Sequence, residues 1–123
     1  MPEQVPIARA SRSLVLEKLE VEVSALKPAQ IIIQPSDGPA RVHQISAEQT
    51  LIGRSMHSDI KLTDTGISRE HAAITWEGEV YMLEDLQSTN GTRPNDKRIR
   101  SAELKSNDEI QIGRTILTFR MSS

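Results

Sequence analysis

The chain contains 123 residues, carries a formal net charge of −2 and has no cysteine. This length suits one domain, and the lack of cysteine excludes disulfides and thiolate-bound zinc. The small negative charge and an aromatic content of 2% argue against a nucleic-acid-binding protein, which needs a basic face or a stacking platform. The sequence shows neither a secretory pattern nor an apolar run of membrane-spanning length. We therefore expect a cytoplasmic protein that binds neither nucleic acids nor membranes.

Residues 1–28 have a different pattern from the rest of the chain. Apolar side chains recur there at spacings of three, four and three: Leu16, Leu19, Val23 and Leu26. This spacing favours a short amphipathic helix, whereas the alternation of Leu19 and Val21 with glutamates is also consistent with a strand. A disordered tail is the third alternative. We predict an N-terminal tail over 1–28, either a solvated linker or a segment that self-associates through residues 13–27.

Residues 29–121 contain short apolar runs separated by turn signals. The predicted strands are 31–33, 41–45, 50–52, 60–62, 72–76, 80–83, 108–112 and 115–119. Glu77-Gly78-Glu79 and Gly113-Arg114 are predicted to close hairpins. Many short strands with Gly, Asn and Asp turns are typical of an all-β sandwich or barrel.

Three polar segments interrupt these runs, namely Gly53-Arg54, 66–71 and 88–92. Together they offer a guanidinium, hydroxyls, a carboxamide and backbone N–H groups, which are the groups that bind a phosphate. Arg54 has a permanent charge and a planar fork that bonds two phosphate oxygens. Gly53 is predicted to let the backbone take an unusual angle that aims Arg54 at the rim. Taken alone, Arg54 is better explained as a surface arginine after a turn glycine.

The other two segments add neutral donors. Ser68 offers a hydroxyl and, with Arg69, two consecutive backbone N–H groups, although a turn or cap serine is the simpler explanation. His71 is predicted to be a buried histidine that bonds the backbone and fixes its loop. Asn90 is able to pair with the backbone of an extended peptide on both sides, and Asn90-Gly91 is also a strong hairpin signal.

In this order and spacing, the segments resemble the forkhead-associated (FHA) domain family. The resemblance covers about residues 30–120. The matching blocks are Gly53-Arg54, Ser58-Asp59-Ile60, Ser68-Arg69-Glu70-His71-Ala72, 85–92, Asn95, Arg98-Ile99 and 108–113. The family is a known class of phospho-motif readers.

The resemblance implies a fold, a ligand and a set of site residues. The fold is a β-sandwich of about eleven strands, whose loops at one end hold phosphothreonine in an extended peptide. The residues implied to bind the phosphopeptide are Arg54, Ser68, Arg69, Thr89 and Asn90. The residues implied to shape the loops are Gly53, His71 and Gly91.

The chain departs from the family pattern at Pro94-Asn95-Asp96, where the family has an aliphatic residue followed by Asn-Gly. This departure concerns the geometry of the following loop. The family reads the third residue after the phosphothreonine near Thr65-Gly66, where this chain offers no charge. Residues 1–49 contain no threonine, so the tail cannot supply a phosphothreonine to its own pocket.

We therefore predict a binding module, not an enzyme, with no cofactor and no metal. Its partner is expected to be a threonine-phosphorylated protein. The three histidines lack the spacing of metal ligands, and no nucleophile elbow occurs. The alternative function is a phosphorylation-independent scaffold or assembly protein that uses the N-terminal segment.

Overall fold

A computed structural model of the protein describes residues 26–122, which form ten strands and no helix. The strands are β1 (Ala29–Gln34), β2 (Arg41–Ile45), β3 (Gln49–Gly53), β4 (Ile60–Lys61), β5 (Ala72–Trp76), β6 (Tyr81–Asp85), β7 (Thr92–Pro94), β8 (Ser101–Leu104), β9 (Glu109–Ile112) and β10 (Thr115–Met121). An isolated bridge also joins Thr92 to Ile99. The predicted all-β fold is confirmed.

The strands form two sheets of five strands each. The first sheet has the order β2-β1-β10-β9-β7 and the second has the order β4-β3-β5-β6-β8. All pairs are antiparallel except β3 and β4, which run parallel. The two sheets bury one continuous core between them.

The core follows from the alternation of side chains along each strand. In β1, Ile31 and Ile33 are fully buried while Ile32 between them is only partly buried. The largest side chains in the core are aromatic. The ring centroid of Tyr81 lies 5.4 Å from that of Phe119 and 4.8 Å from that of Trp76. Such tilted contacts add to the energy of burial alone.

Two of the predicted hairpins are present. Glu77-Gly78-Glu79 joins β5 to β6, with the Glu77 N–H donating to the Val80 carbonyl at 2.9 Å and Gly78 at φ +92°. Gly113-Arg114 joins β9 to β10. The predicted hairpin at Asn90-Gly91 is wrong, because β6 and β7 belong to different sheets. The chain crosses from one sheet to the other at that turn.

The N-terminal tail predicted over 1–28 lies largely outside the described residues, and so do the expected helix and most of the self-associating segment 13–27. The described part enters the fold at Leu26, which packs against the core. The Lys27 carbonyl accepts a hydrogen bond from the Tyr81 hydroxyl at 2.7 Å. The Ser122 N–H donates to the Pro28 carbonyl at 2.9 Å. Both ends of the described chain therefore meet beside the β5–β6 hairpin.

Candidate functional site

The end of the sandwich away from the β5–β6 hairpin, termed the loop end, carries the loops 54–59, 62–71 and 86–91. These loops converge because of the strand register. Ala72 at the start of β5 pairs with Ile52 near the end of β3 and with Asp85 at the end of β6. The three polar segments of the sequence therefore lie at one edge of the molecule.

Arg54 is exposed at this edge, but its side chain is held by the fold. Its Nε donates a hydrogen bond to the Ile67 carbonyl, and its backbone N–H donates to the Ser68 carbonyl at 3.1 Å. A guanidinium has five N–H donors, so the bond from Nε leaves the two terminal nitrogens for a ligand. The fork is thus oriented before any ligand arrives.

Gly53 is required for a different reason from the one predicted. Its φ is not in the left-handed region, so it provides no unusual backbone angle. Instead, a Cβ at this position would lie 2.1 Å from the Arg69 carbonyl oxygen and 3.1 Å from the His71 nitrogen. The absence of a side chain allows the 62–71 loop to pack directly on the end of β3.

The Ser68 hydroxyl connects two of the loops. Its Oγ accepts a hydrogen bond from the Thr89 N–H at 3.1 Å, which leaves the O–H free to donate to a ligand. The Ser68 N–H donates to Nδ1 of His71 at 3.0 Å. The expectation that this N–H faces the ligand beside that of Arg69 is therefore wrong, because the histidine uses it.

His71 is fully buried and connects the same loops from below. Because Nδ1 accepts from Ser68, Nε2 carries the proton and donates to the Gly91 carbonyl at 2.8 Å. The His71 backbone bonds Ile52 and Leu86, both at 2.9 Å. The imidazole is enclosed by backbone partners, so it stabilises the loops and does not face solvent.

Asn90 joins the third loop to the second. Its Nδ2 donates to the Gly66 carbonyl at 2.9 Å, while the residue remains exposed. A carboxamide has a second N–H and an acceptor oxygen, and these remain for a peptide backbone. Gly91 follows at φ +94°, a conformation that glycine adopts at little cost.

The structure thus links Arg54, Ser68, Thr89 and Asn90 through the short segment 66–68. Arg69 lies next to Ser68 with its side chain exposed. Its backbone carbonyl accepts from the Ser55 N–H at 3.0 Å. The five residues implied by the family resemblance are therefore neighbours at the loop end.

Sequence reasoning missed the residue that fixes the 86–91 loop, which is Asp85. Its carboxylate accepts hydrogen bonds from the hydroxyls of Ser88 and Thr92 and from the Ser88 N–H. The Ser88 hydroxyl in turn accepts from the Gly91 N–H at 2.9 Å. The signal in the sequence was an Asp followed by hydroxyl residues three and seven positions later, a pattern typical of local side chain–backbone turns.

These contacts change the acidity of Asp85. Burial alone would raise the pKa of its carboxyl group, but the hydrogen bonds from Ser88 and Thr92 outweigh burial and lower the pKa below its ordinary value. Asp85 is therefore a stable carboxylate near neutral pH.

The arrangement is suited to binding an anion. The guanidinium of Arg54 and the carboxamide of Asn90 are both bonded to the segment 66–68, which itself carries the hydroxyl of Ser68. Residues 26–122 contain no group of three or more His, Asp or Glu side chains placed to hold a metal ion. None of their segments is a helix long and apolar enough to cross a membrane.

Comparison with known proteins gives consistent results. The FHA domain model matches residues 50–113. The FHA domain-containing protein FhaA of Mycobacterium tuberculosis (strain ATCC 25618 / H37Rv) is 37% identical over 91 residues, which make up 74% of this chain and 17% of FhaA. This chain thus spans less than a fifth of the length of FhaA.

Two solved structures extend the comparison. A chain from a structural and functional study of phosphothreonine-dependent FHA domain interactions is 36% identical, with a TM-score of 0.69 over 76% of this chain and 98% of its own. Mycobacterium tuberculosis EmbR, solved in complex with a low affinity phosphopeptide, is 29% identical, with a TM-score of 0.70 over 94% of this chain and 31% of EmbR. The chain belongs to the FHA domain family.

Proposed function

We propose that this FHA domain binds extended peptides that contain phosphothreonine, and that it carries out no catalysis itself. The observation that carries the proposal is that the Arg54 side chain is held in place by the fold. Its Nε is bonded to the Ile67 carbonyl, so the guanidinium is anchored to the residue that precedes Ser68. A doubly charged phosphate monoester is the ligand that best matches a fixed fork and a neutral donor.

Each of the remaining site residues has a role in this proposal. Arg54 and Ser68 bind the phosphate, and Arg69 adds a further contact to it. Thr89 contacts the phosphate or the methyl group of the phosphothreonine. Asn90 bonds the peptide backbone beside it. These assignments are supported by the shared position of the residues at the loop end, by the phosphopeptide complex of EmbR and by the phosphothreonine-dependent interactions of another similar FHA domain.

The wider role follows from the same chemistry. The partner is a threonine-phosphorylated protein, and the binding unit is the segment 29–121. The absence of cysteine from the whole chain fits a reducing, cytoplasmic location. The self-association predicted for residues 13–27, most of which lie outside the described residues, is a separate proposal that light scattering of the full chain would test.

The expected affinity is moderate. Charge-assisted hydrogen bonds contribute about 1.5–3 kcal/mol each. Three or four of them, less the cost of ordering the peptide, correspond to a Kd around micromolar, or about −8 kcal/mol.

Isothermal titration calorimetry with a matched pair of peptides, with and without the phosphate on threonine, tests the proposal. We expect binding only to the phosphorylated peptide. Arg54→Ala should lose most of the affinity, and Asn90→Ala should lose less because it does not touch the phosphate. Arg54→Lys should recover only part of the loss, since one ammonium cannot bond Ile67 and bridge two phosphate oxygens.

Arg120→Ala is the matched control. Arg120 is exposed on β10 and pairs with Gln30, close to the end of the sandwich where the termini meet. Arg120→Ala changes the net charge by the same amount as Arg54→Ala. It should leave the Kd for the phosphorylated peptide within about twofold, because surface charges far from the loop end are screened by salt. Equal affinity for the phosphorylated and unphosphorylated peptides would contradict the proposal and favour a phosphorylation-independent scaffold.

A further inference from the structure

A groove runs along the outer side of the 86–91 loop, between the end of β6 and the segment that precedes β8. It has a volume of about 790 Å³ and is lined by residues 84–88 and 98–100. None of the five proposed peptide-binding residues lies in this lining, although Asp85 and Ser88, which fix the 86–91 loop, do. We call it the β6–β8 groove.

The walls of the β6–β8 groove are held in place by backbone hydrogen bonds. The Asp85 N–H donates to the Arg100 carbonyl at 2.8 Å, and the Ile99 N–H donates to the Thr92 carbonyl at 3.1 Å. Ile99 also packs against the core and forms an apolar floor. The groove is therefore a built feature of the domain.

Arg98 connects the groove to the proposed phosphopeptide site. A Cβ at Gly91 would lie 2.7 Å from Nε and 2.9 Å from Cδ of Arg98, so this side chain extends across the glycine that follows Asn90. The Arg98 guanidinium therefore lies beside the residue that follows Asn90, which is proposed to bond the peptide backbone. Arg100, also exposed, lines the same groove two residues further on.

A second observation concerns the opposite wall. Gln87 has a φ of +58°, a left-handed conformation that is uncommon for a residue other than glycine, asparagine or aspartate. Such local strain is found preferentially at ligand-binding segments. Gln87 is exposed and belongs to the lining of the β6–β8 groove.

The charged side chains that line the β6–β8 groove determine which kind of ligand it is suited to bind. Arg98 and Arg100 are countered by Glu84 and Asp85, but these two acids are not equivalent. The carboxylate of Asp85 is already bonded by Ser88 and Thr92, whereas Glu84 is exposed on β6. The two arginines therefore provide the unsatisfied donors of the groove, and Glu84 opposes an incoming anion.

We propose that the β6–β8 groove is a second contact site for the same phosphopeptide, in which Arg98 and Arg100 bind an acidic side chain near the phosphothreonine. This inference rests on the proposed function, since the phosphothreonine brings the peptide to the loop end. It gives the domain a preference for acidic residues near the phosphothreonine, which the uncharged Thr65-Gly66 segment does not provide. Arginine suits this task because its fork bonds a carboxylate at two points.

Fluorescence anisotropy with a scanned peptide series tests the inference. The parent is a phosphothreonine peptide with uncharged flanking residues, and each derivative carries one Asp at a single position within four residues on either side. We expect one or two neighbouring positions to tighten binding by about three- to tenfold, the range of partly exposed charge pairs. Arg98→Gln and Arg100→Gln should each reduce this preference while leaving the parent Kd within about twofold.

Two further variants sharpen the result. Glu84→Gln removes the opposing charge and should increase the preference for Asp at the same positions. Arg120→Gln carries the same charge change as the arginine variants but lies away from the groove, and should leave the preference intact. Circular dichroism confirms that each variant is folded.

The outcomes separate this inference from the proposed function. If the uncharged phosphopeptide binds but no Asp position improves its affinity, the groove assignment is wrong while phosphothreonine binding stands. The same conclusion follows if the preference for Asp survives in both Arg98→Gln and Arg100→Gln. If the wild-type domain does not bind the parent phosphopeptide, both the proposed function and this inference fail.

Discussion

At the scale of single residues, the side chains of the loop end use one polar group to bond the fold and present another to solvent. Arg54 bonds Ile67 through Nε and keeps its terminal nitrogens free, and Ser68 accepts from Thr89 and keeps its O–H. Asn90 does the same through Gly66. Because these side chains are already held in place by the fold, they lose less conformational entropy when a ligand binds.

Gly53→Ala tests how closely the loops must approach. The added Cβ would collide with the backbone of Arg69. This backbone cannot move without disturbing the bond from the Ser55 N–H to the Arg69 carbonyl and the nearby bond from the His71 N–H to the Ile52 carbonyl. We expect a loss of about 2–3 kcal/mol in the free energy of unfolding, measured by urea denaturation. Gly38→Ala is the control, because its Cβ would only touch Pro35 at 3.5 Å. Equal stability of the two variants would show that the packing at Gly53 is not tight.

Asp85→Asn tests whether the Asp85 carboxylate stabilises the 86–91 loop, by way of the pH dependence of the free energy of unfolding. The pKa of Asp85 is lowered in the folded protein, so its stabilising effect is complete above the unfolded value of about 4 and is lost as pH falls through the folded value. We expect Asp85→Asn to cost about 2 kcal/mol at pH 7. The difference from wild type should shrink below about pH 4.

The measurement is urea unfolding between pH 3 and pH 7. Asp37→Asn, in the exposed turn after β1, should follow the wild-type curve. A gap between Asp85→Asn and wild type that stays constant down to pH 3 would contradict the role given to the Asp85 carboxylate.

At the scale of elements, a hairpin follows the 86–91 loop, and its turn is formed by Asn95-Asp96. Both residues have positive φ, 51° and 71°, and the Lys97 N–H donates to the Pro94 carbonyl at 3.1 Å. This is the geometry of a type I′ turn. Asn95 is further fixed by bonds to Asp108 and to the Glu109 N–H. The departure from the Asn-Gly pattern of the family therefore leaves a tight turn in place.

Asp96→Gly should stabilise this hairpin, because glycine takes a positive φ without strain. We expect a gain of about 0.5 kcal/mol after allowing for the greater freedom of glycine in the unfolded chain. Asp96→Ala should destabilise, since alanine keeps the Cβ and loses the local polar group. Thermal denaturation measures both changes, and a loss of stability in Asp96→Gly would show that the aspartate makes a contact worth more than the strain.

The sequence allowed most strands to be predicted but not β7 and β8. The apolar alternation of β1, β5 and β10 is strong, whereas β7 has three residues, one of them Pro94, and β8 (SAEL) fully buries only Leu104. Their pairing depends on distant partners, β9 and β6. The sheet crossing at Asn90-Gly91 was missed for the same reason, because a local turn signal does not say which sheet the next strand joins.

The common location of the candidate site residues was easier to predict than the contacts that hold them there. The order of Arg54, Ser68 and Asn90 along the chain pointed to one pocket, but the close packing at Gly53 depends on a loop fifteen or more residues away. Asp85 was missed as a hub because its partners, Ser88 and Thr92, have ordinary turn explanations in the sequence.

At the scale of the whole molecule, the ligand end and the chain ends are separated. The loop end carries the proposed pocket, while Lys27, Pro28 and Ser122 meet beside the β5–β6 hairpin. A domain with this layout is able to hold a phosphopeptide at one end while its chain continues from the other.

The central claim is that three loops distant in sequence enclose one phosphate. An NMR titration of the ¹⁵N-labelled protein with a phosphothreonine peptide tests it most directly, because backbone amides report contact residue by residue. We expect the largest shifts to occur together in loops 54–59, 62–71 and 86–91, and the unphosphorylated peptide to cause none of them. Shifts confined to one loop, or centred on the β5–β6 hairpin, would contradict it.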